Sequence, residues 1–372
     1  MTRLTNGRTL AMAIAAALVV AACGGGAATP APASDTPASS APAESAAAGA
    51  VPGPLDEAVT VRFGIFPNIT HAPGLVALAD GGQLGKLLPN ATINVKSFNS
   101  GTTAVEAMFS DAIDITFIGP NPAINAYSKS DGEAVRIIAG STSGGAFLVV
   151  RPEIKTAADL KGKKIATPSL GNTQDVALRA WLKAQGFATD TAGGGDVSVV
   201  PQENAQTLET FIDGTIDGAW VPEPWATRLI KEGGAVVLVD ERDLWPDGKY
   251  VTTHLMVATP FLEKNPEVVK RILLATIQAV DFVNENQAEA QAIVNAEIEK
   301  WTTKKLGEEL LKTAWGNLSF TVDPIASSLG KSASDAQSLE LLKDPGDLKG
   351  LYDLTLLNEI LKGLGEPEAS GL

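Results

Sequence analysis

Val105-Glu-Ala-Met108 followed by Ile113-Asp-Ile-Thr-Phe-Ile-Gly-Pro-Asn121 returns, 103 residues later, as Leu208-Glu-Thr-Phe211 followed by Ile216-Asp-Gly-Ala-Trp-Val-Pro-Glu-Pro224. Both passages read as a helix, a tight turn, an Ile-Asp pair, a short buried strand and a loop containing proline. Helix–strand units of this size also resemble one another by chance. The weight falls on two alignments: Ile113-Asp114 with Ile216-Asp217, and Phe117-Ile118 with Trp220-Val221. A true repeat means two related lobes. Each then presents a loop at the carboxyl end of a strand, where open α/β sheets bind their ligands. Two such loops face to face make a cleft.

Outward from the repeat, strands and helices alternate. Val59 to Phe66 predicts a first strand, Gly74 to Leu88 a helix and Ala91 to Phe98 a second strand. A helix from about Thr103 to Phe109 follows, then strands at Ile113–Ile118, Val135–Ala139 and Ala146–Arg151. After Arg151 the pattern restarts, with strands near Gly162–Thr167, Val197–Pro201, Gly218–Val221 and Val236–Asp240 and helices between them. Past His254 the spacing is mostly helical, over 266–284, 287–301, 307–315 and 347–364. This alternation predicts an α/β fold of doubly wound mixed sheets flanked by helices, with a helical C-terminus.

Three loops combine glycine with hydroxyl or amide residues and open a helix: Ser100-Gly101-Thr102, Gly119-Pro120-Asn121 and Gly171-Asn172-Thr173. A helix N-terminus offers free N–H groups and a positive dipole end, which suits an anion. Plain helix capping uses the same residue types, and Asn172 with Asp175 has capping-box spacing. Several such loops at matching places in two lobes favour ligand binding. Ser141-Thr-Ser143-Gly-Gly145 reads as a fourth polar loop, either a connection between lobes or a source of further hydroxyls. Asn68-Ile-Thr-His71 follows the first strand, so His71 is a candidate donor into the cleft. His254, inside a strand-like run, reads as structural. Trp220 and Trp225 offer flat apolar walls to an organic ligand. Glu223 between them argues against a bare inorganic anion; its other reading is an N-cap or first-turn acid of the following helix.

The first 54 residues are not fold. Arg3 and Arg8 precede an apolar run from Leu10 to Val20, the pattern of an export signal over residues 1–22. Val20-Ala-Ala-Cys23 then looks like the lipobox of bacterial lipoproteins, which makes Cys23 a lipidation site that anchors the chain without a spanning helix. Residues 24–54 are almost entirely Ala, Gly, Pro, Ser and Thr, a composition that cannot bury a core. Residues 23–54 therefore read as a lipidated tether, and the folded body starts near Leu55.

Composition closes off other classes. A net charge of −14 in 372 residues is the wrong sign for a general nucleic-acid binder. One cysteine excludes an intrachain disulfide framework, and two histidines exclude a His-rich metal site. No Gly-x-Ser-x-Gly, Gly-x-x-x-x-Gly-Lys or His-Glu-x-x-His motif is present, so no catalytic set is expected, and no cofactor or metal.

Taken together, the lipobox, the tether, Ser100-Gly-Thr102, the Ile113–Gly119 strand, Ala158-Asp-Leu-Lys-Gly-Lys163, Gly171-Asn-Thr173 and Gly218-Ala-Trp-Val-Pro-Glu-Pro-Trp225 resemble bacterial ABC-transporter substrate-binding proteins. The similar branch serves aliphatic sulfonates, taurine and nitrate. The resemblance implies a type II periplasmic-binding fold whose two lobes close on a small-molecule ligand and dock on a membrane permease with its ATPase. It implies lobe boundaries at 55–149 with 254–372, and 150–253, and a lipid-anchored, extracytoplasmic monomer rather than an enzyme. The implied ligand is a sulfonate- or taurine-like organic anion or zwitterion. Simple-sulfonate binders often carry Asp where Glu223 stands, and the Asn68–His71 start is similar to relatives that bind thiamine-precursor pyrimidines. An aromatic acid or such a pyrimidine is therefore the alternative ligand. An enzyme on the same fold, or a sensor lipoprotein, is the alternative class.

Overall fold

The computed structural model describes residues 51–372. The expected export signal, Cys23 and the tether up to residue 50 lie outside the described residues. Leu55 starts the folded body, its N–H donating to the Leu87 carbonyl at 2.9 Å.

The chain first lays down β1 (Thr60–Ile65), α1 (Ala72–Leu78), α2 (Gln83–Leu87), β2 (Thr92–Ser97), α3 (Gly101–Phe109), β3 (Ile115–Ile118), α4 (Pro120–Lys129) and β4 (Val135–Gly144). A second set follows: β5 (Ala146–Val150), β6 (Lys164–Thr167), α5 (Thr173–Ala184), β7 (Ser198–Pro201), α6 (Asn204–Ile212), β8 (Gly218–Pro222), α7 (Trp225–Gly233) and β9 (Val236–Asp240). The chain then returns through β10 (Val251–Ala258), α8 (Thr259–Lys264), α9 (Pro266–Glu285), α10 (Gln287–Thr302), α11 (Glu308–Trp315), β11 (Leu318–Phe320), α12 (Ser327–Ser338) and α13 (Thr355–Leu364).

Two sheets result, ordered β11-β4-β10-β3-β1-β2 and β7-β6-β8-β5-β9. Without the short β11 they have one topology. In each, a central parallel pair (β1 with β3, β6 with β8) carries a parallel outer neighbour (β2, β7) on one side. On the other side lies a strand running antiparallel to both its neighbours (β10, β5). That antiparallel strand is supplied each time by chain arriving from the other sheet. The first crossing is at Gly145, where Gly144 and Gly145 both have positive φ (79° and 72°), a conformation that glycine adopts without a Cβ clash. The second lies between Asp240 and Val251. The expected boundaries at 149 and 254 therefore fall inside β5 and β10: residues 146–149 pair with β8 and β9, and residues 251–253 with β4.

The repeat has a physical basis. Asp111 and Gly214, 103 positions apart, both turn the chain with positive φ (54° and 80°). The next residues close equivalent turns, Ala112 N–H to the Ala107 carbonyl at 2.8 Å and Thr215 N–H to the Thr210 carbonyl at 2.9 Å. The aspartate after each turn receives a backbone N–H of the neighbouring parallel strand: Asp114 from Arg62 and Asp217 from Lys164, each at 2.8 Å. The Ile-Asp pair thus buries an apolar side chain and satisfies a strand-end donor in one stroke.

Helices cover both faces of both sheets. On one face of the first sheet, α1, α9 and α13 pack over Phe63, Ile115 and Leu255; on the other, α3, α4 and α12 pack over Ile118, Ile137 and Met256. The second sheet is covered by α6 and α7 on one side and α5 on the other. Each fully buried Leu, Ile, Val or Phe contributes about 1.5–3 kcal/mol. Three expectations need correction. The predicted Gly74–Leu88 helix is two helices, broken at Asp80-Gly-Gly82, where Gly81 has a φ of 73°. Residues 141–144 are not a loop but the end of β4, hydrogen-bonded to β10 on one edge and β11 on the other. The 347–364 helix is a 3-10 turn at Leu348–Leu351 followed by α13.

Candidate functional site

Each sheet brings the carboxyl ends of its parallel strands to the same place. Phe66 and Asn68 follow β1, Asn99 to Gly101 follow β2, and Gly119 follows β3; Pro168 follows β6, Asn204 follows β7, and Pro222 ends β8. All of these line one cavity of about 70 Å³ between the two sheets, closed by Thr252 and Thr253 of β10. Four helices begin at its walls: α3, α4, α5 and α6. Their dipoles converge there, and no lining side chain is Lys, Arg, Asp or Glu. The cavity is thus positive through backbone dipoles alone.

Capping accounts for one of the four helix starts. Asn172 Oδ1 accepts the Asp175 N–H at 2.9 Å, as its capping-box spacing foretells. Ser100, Gly119 and Glu203 stand at the N-caps of α3, α4 and α6 and make no side-chain cap bond. The first-turn N–H groups of α3 and α6 are left for another acceptor, whereas Pro120 and Pro122 leave α4 only the Asn121 N–H in its first turn.

Three residues lining this cavity each carry a buried side-chain atom with no hydrogen-bond partner: Asn68 Oδ1, His71 Nε2 and Asn204 Oδ1. An unpaired buried polar atom is costly unless something else satisfies it. His71 stands in the 3-10 turn Ile69–His71 after β1, its ring stacked on Phe66 with centroids 4.7 Å apart. The turn is braced by the Thr142 and Thr253 hydroxyls, which donate to the Thr70 carbonyl at 2.7 and 3.0 Å. Burial pushes the imidazole pKa down to about 3, against the pull of the Phe117 carbonyl, so the ring is neutral. Its Nδ1 lies 3.0 Å from the Thr70 hydroxyl. With that hydroxyl as donor, the ring proton sits on Nε2. Turning either amide by 180° presents an NH₂ group in the same way.

The two walls touch. Thr102 Oγ1 lies 3.4 Å from Ser169 Oγ, and Asn99 Nδ2 donates to Glu203 Oε1 at 3.3 Å. At Gly119 a Cβ would stand 2.6 Å from Thr173 Oγ1, so any larger residue there would press on the Thr173 side chain.

Of the residues singled out from sequence, Asn68, His71, Ser100, Gly101, Gly119, Asn172 and Thr173 line the cavity. Thr102 sits at its rim through Ser169. Pro120 opens α4 beside it, while Asn121 is buried and donates to the Ser332 carbonyl of α12 at 3.1 Å. Ser143 lies within β4, paired with Val251 and Ser319. Trp220 points away from the cavity: its indole N–H donates to Glu241 at 2.7 Å and its ring packs on Trp181. Glu223 lies just before the Pro224 N-cap of α7, not in its first turn, and accepts from the Thr227 N–H and hydroxyl and from Asn317 Nδ2 at 3.1, 2.8 and 2.7 Å. Burial raises its pKa and these three bonds oppose the shift. His254 is structural, as read, with Nε2 3.1 Å from the Pro324 carbonyl. Sequence reasoning missed Phe66, Asn99, Gln174, Asn204, Thr252 and Thr253. The repeat held the signal for Asn204, which stands 103 residues after Gly101.

A larger chamber of about 570 Å³ adjoins the cavity, sharing Phe66, Asn68, Asn99 and Asn204 with it. Trp225 lines this chamber, not the small cavity.

Residues 55–298 match the NMT1-like family. The chain belongs to that family. The NMT1-like match spans all the small cavity's walls and ends before the Thr302–Leu310 side of the chamber. The taurine-binding periplasmic protein of Escherichia coli (strain K12) is 32% identical over 223 residues, covering 60% of this chain and 67% of that relative. Among solved structures, the alkanesulfonate-binding protein SsuA from Xanthomonas axonopodis pv. citri, bound to MOPS, is similar with a TM-score of 0.63 at 17% identity, over 78% of this chain and 96% of that one. The periplasmic nitrate-binding protein NrtA from Synechocystis PCC 6803 has a TM-score of 0.65 at 17% identity, over 84% and 90%. These likenesses show that the NMT1-like chain has the two-sheet fold of periplasmic binding proteins.

Proposed function

We propose that this NMT1-like protein is the extracytoplasmic solute-binding component of an ABC importer, capturing a small organic anion, best a sulfonate, between its two lobes. The observation that carries this is the convergence of four helix starts and three unpartnered polar atoms on one uncharged cavity. A sulfonate presents three acceptor oxygens to donors from both lobes and keeps its single charge at any physiological pH. A dianion buried among dipoles without a cation would pay too large a desolvation cost. The lobes are the two sheets with their helices, hinged at Gly145 and between Asp240 and Val251. Ligand favours closure because its contacts to both walls exist only when they meet. No covalent step is involved. The closed form docks as a monomer on a permease with its ATPase, held near the membrane by lipid on Cys23. The test is a thermal-shift panel of sulfonates, taurine, nitrate, carboxylates and pyrimidines. A sulfonate at about a hundred times its Kd raises the midpoint by several degrees; no shift with any sulfonate overturns the reading.

A further inference from the structure

The small cavity, at about 70 Å³, suits an oxyanion head and falls well short of the roughly 300–1,000 Å³ of small-molecule pockets. Any body attached to that head must pass into the adjoining chamber, whose 570 Å³ lies within that range. The chamber's walls include the flat rings of Phe66, shared with the head cavity, Phe98 and Trp225, the apolar Leu306 and Leu310, and the Glu203 carboxylate, which accepts from Asn99. The chamber's guanidinium is already engaged. Arg228 lies 4.7 Å from the Trp225 ring centre and makes two hydrogen bonds to Glu232, at 2.8 and 3.1 Å. That pairing fixes the indole and neutralises the charge beside it.

The far wall is the segment between α10 and α11, and it is held rigidly. Asn295 accepts the Leu306 N–H at 2.8 Å and donates to the Leu306 carbonyl at 2.9 Å. The Thr302 hydroxyl bonds the Ile298 and Lys304 carbonyls at 2.8 and 3.1 Å. A wall set in advance costs little ordering when a ligand arrives.

Building on the anion-binding reading above, we infer that the natural ligand is an organic monoanion with a bulky, flat apolar body. Its head occupies the small cavity, and its body lies against Trp225 and the α10–α11 segment, which sets the size accepted. Lys304 and Lys305 are exposed on that segment and steer anions toward the opening.

The experiment is calorimetric titration of the full-length protein in detergent with methanesulfonate, a head alone, and with naphthalene-1-sulfonate, the same head with a flat body. The aromatic sulfonate is expected to bind about ten-fold tighter or more. Trp225→Ala and, independently, Leu310→Asn are expected to lower that ratio by about five-fold. Two folded variants guard against loss of one. Equal affinity for both probes, or a ratio that neither variant changes, overturns the inference while leaving the anion site intact. If neither sulfonate binds, the reading of the site and the inference fall together.

Discussion

His71 and Glu241 are both buried ionisable residues, but only one faces a cavity. His71 was legible from its place just after a strand, because strand ends in α/β sheets point to ligands. The role of Trp220 was not legible. In a strand covered on both faces, every side chain is apolar, and alternation no longer tells which way a residue points. Trp220 faces α5 and the Glu241 carboxylate, whereas Val221 faces α6 and α7. Burial raises Glu241 to about pH 7, against hydrogen bonds from Trp220 and Trp245 and the charge of Lys331, with Asp240 adding to the rise. The unfolded chain releases this proton near the ordinary value of 4.5, so the folded state holds more protons between the two values. Stability from this group is therefore lost as pH rises through 7. Relative to Glu241→Gln, the wild type should lose roughly 1.4 kcal/mol per pH unit between pH 5 and 7 in urea unfolding. A difference between the two proteins that does not vary with pH contradicts this account of the Glu241 environment.

At the scale of elements, the helix–turn–strand repeat was readable because its two aspartates do the same work, each taking a backbone N–H from the next strand. α12 was not readable. Its sequence, Ser-Ser-Leu-Gly-Lys-Ser-Ala-Ser-Asp-Ala-Gln-Ser, lacks a broad apolar stripe, and small residues suffice because Leu329, Ala333 and Ala336 pack closely beside α4. The end of β4 was hidden for a related reason: Ser141 to Gly144 look like a loop until β10 and β11 pair with both edges. The meeting of α4 and α5 gives a sharp expectation. Gly119→Ala places a methyl against Thr173 Oγ1 and should hold the walls apart. Sulfonate affinity is expected to fall by about ten-fold in calorimetry, with the thermal midpoint of the free protein nearly unchanged. Wild-type affinity in that variant would mean that ligand does not need the contact between Gly119 and Thr173.

At the scale of the molecule, the alternation of strands and helices disclosed the architecture, and the repeat disclosed its two-fold plan. Ligand chemistry stayed open because the site is built from backbone dipoles and neutral side chains. A helix start that caps itself and one that binds an anion have the same composition, and Asn172 and Ser100 differ only in geometry. The negative charge of the whole chain likewise says nothing of a cavity lined by no charged side chain. The central proposal is that uncharged donors from both sheets, His71 among them, hold an anion. With two histidines in the chain, ¹⁵N-histidine NMR of the full-length protein reads His71 at the cavity and His254 in β10 as its internal control. Both rings should be neutral at pH 7. A saturating sulfonate should shift the His71 Nε2–H signal, leave that ring neutral and leave His254 nearly unmoved. A sulfonate that raises the thermal midpoint while the His71 signal stays still, or that turns His71 into an imidazolium, would contradict the account.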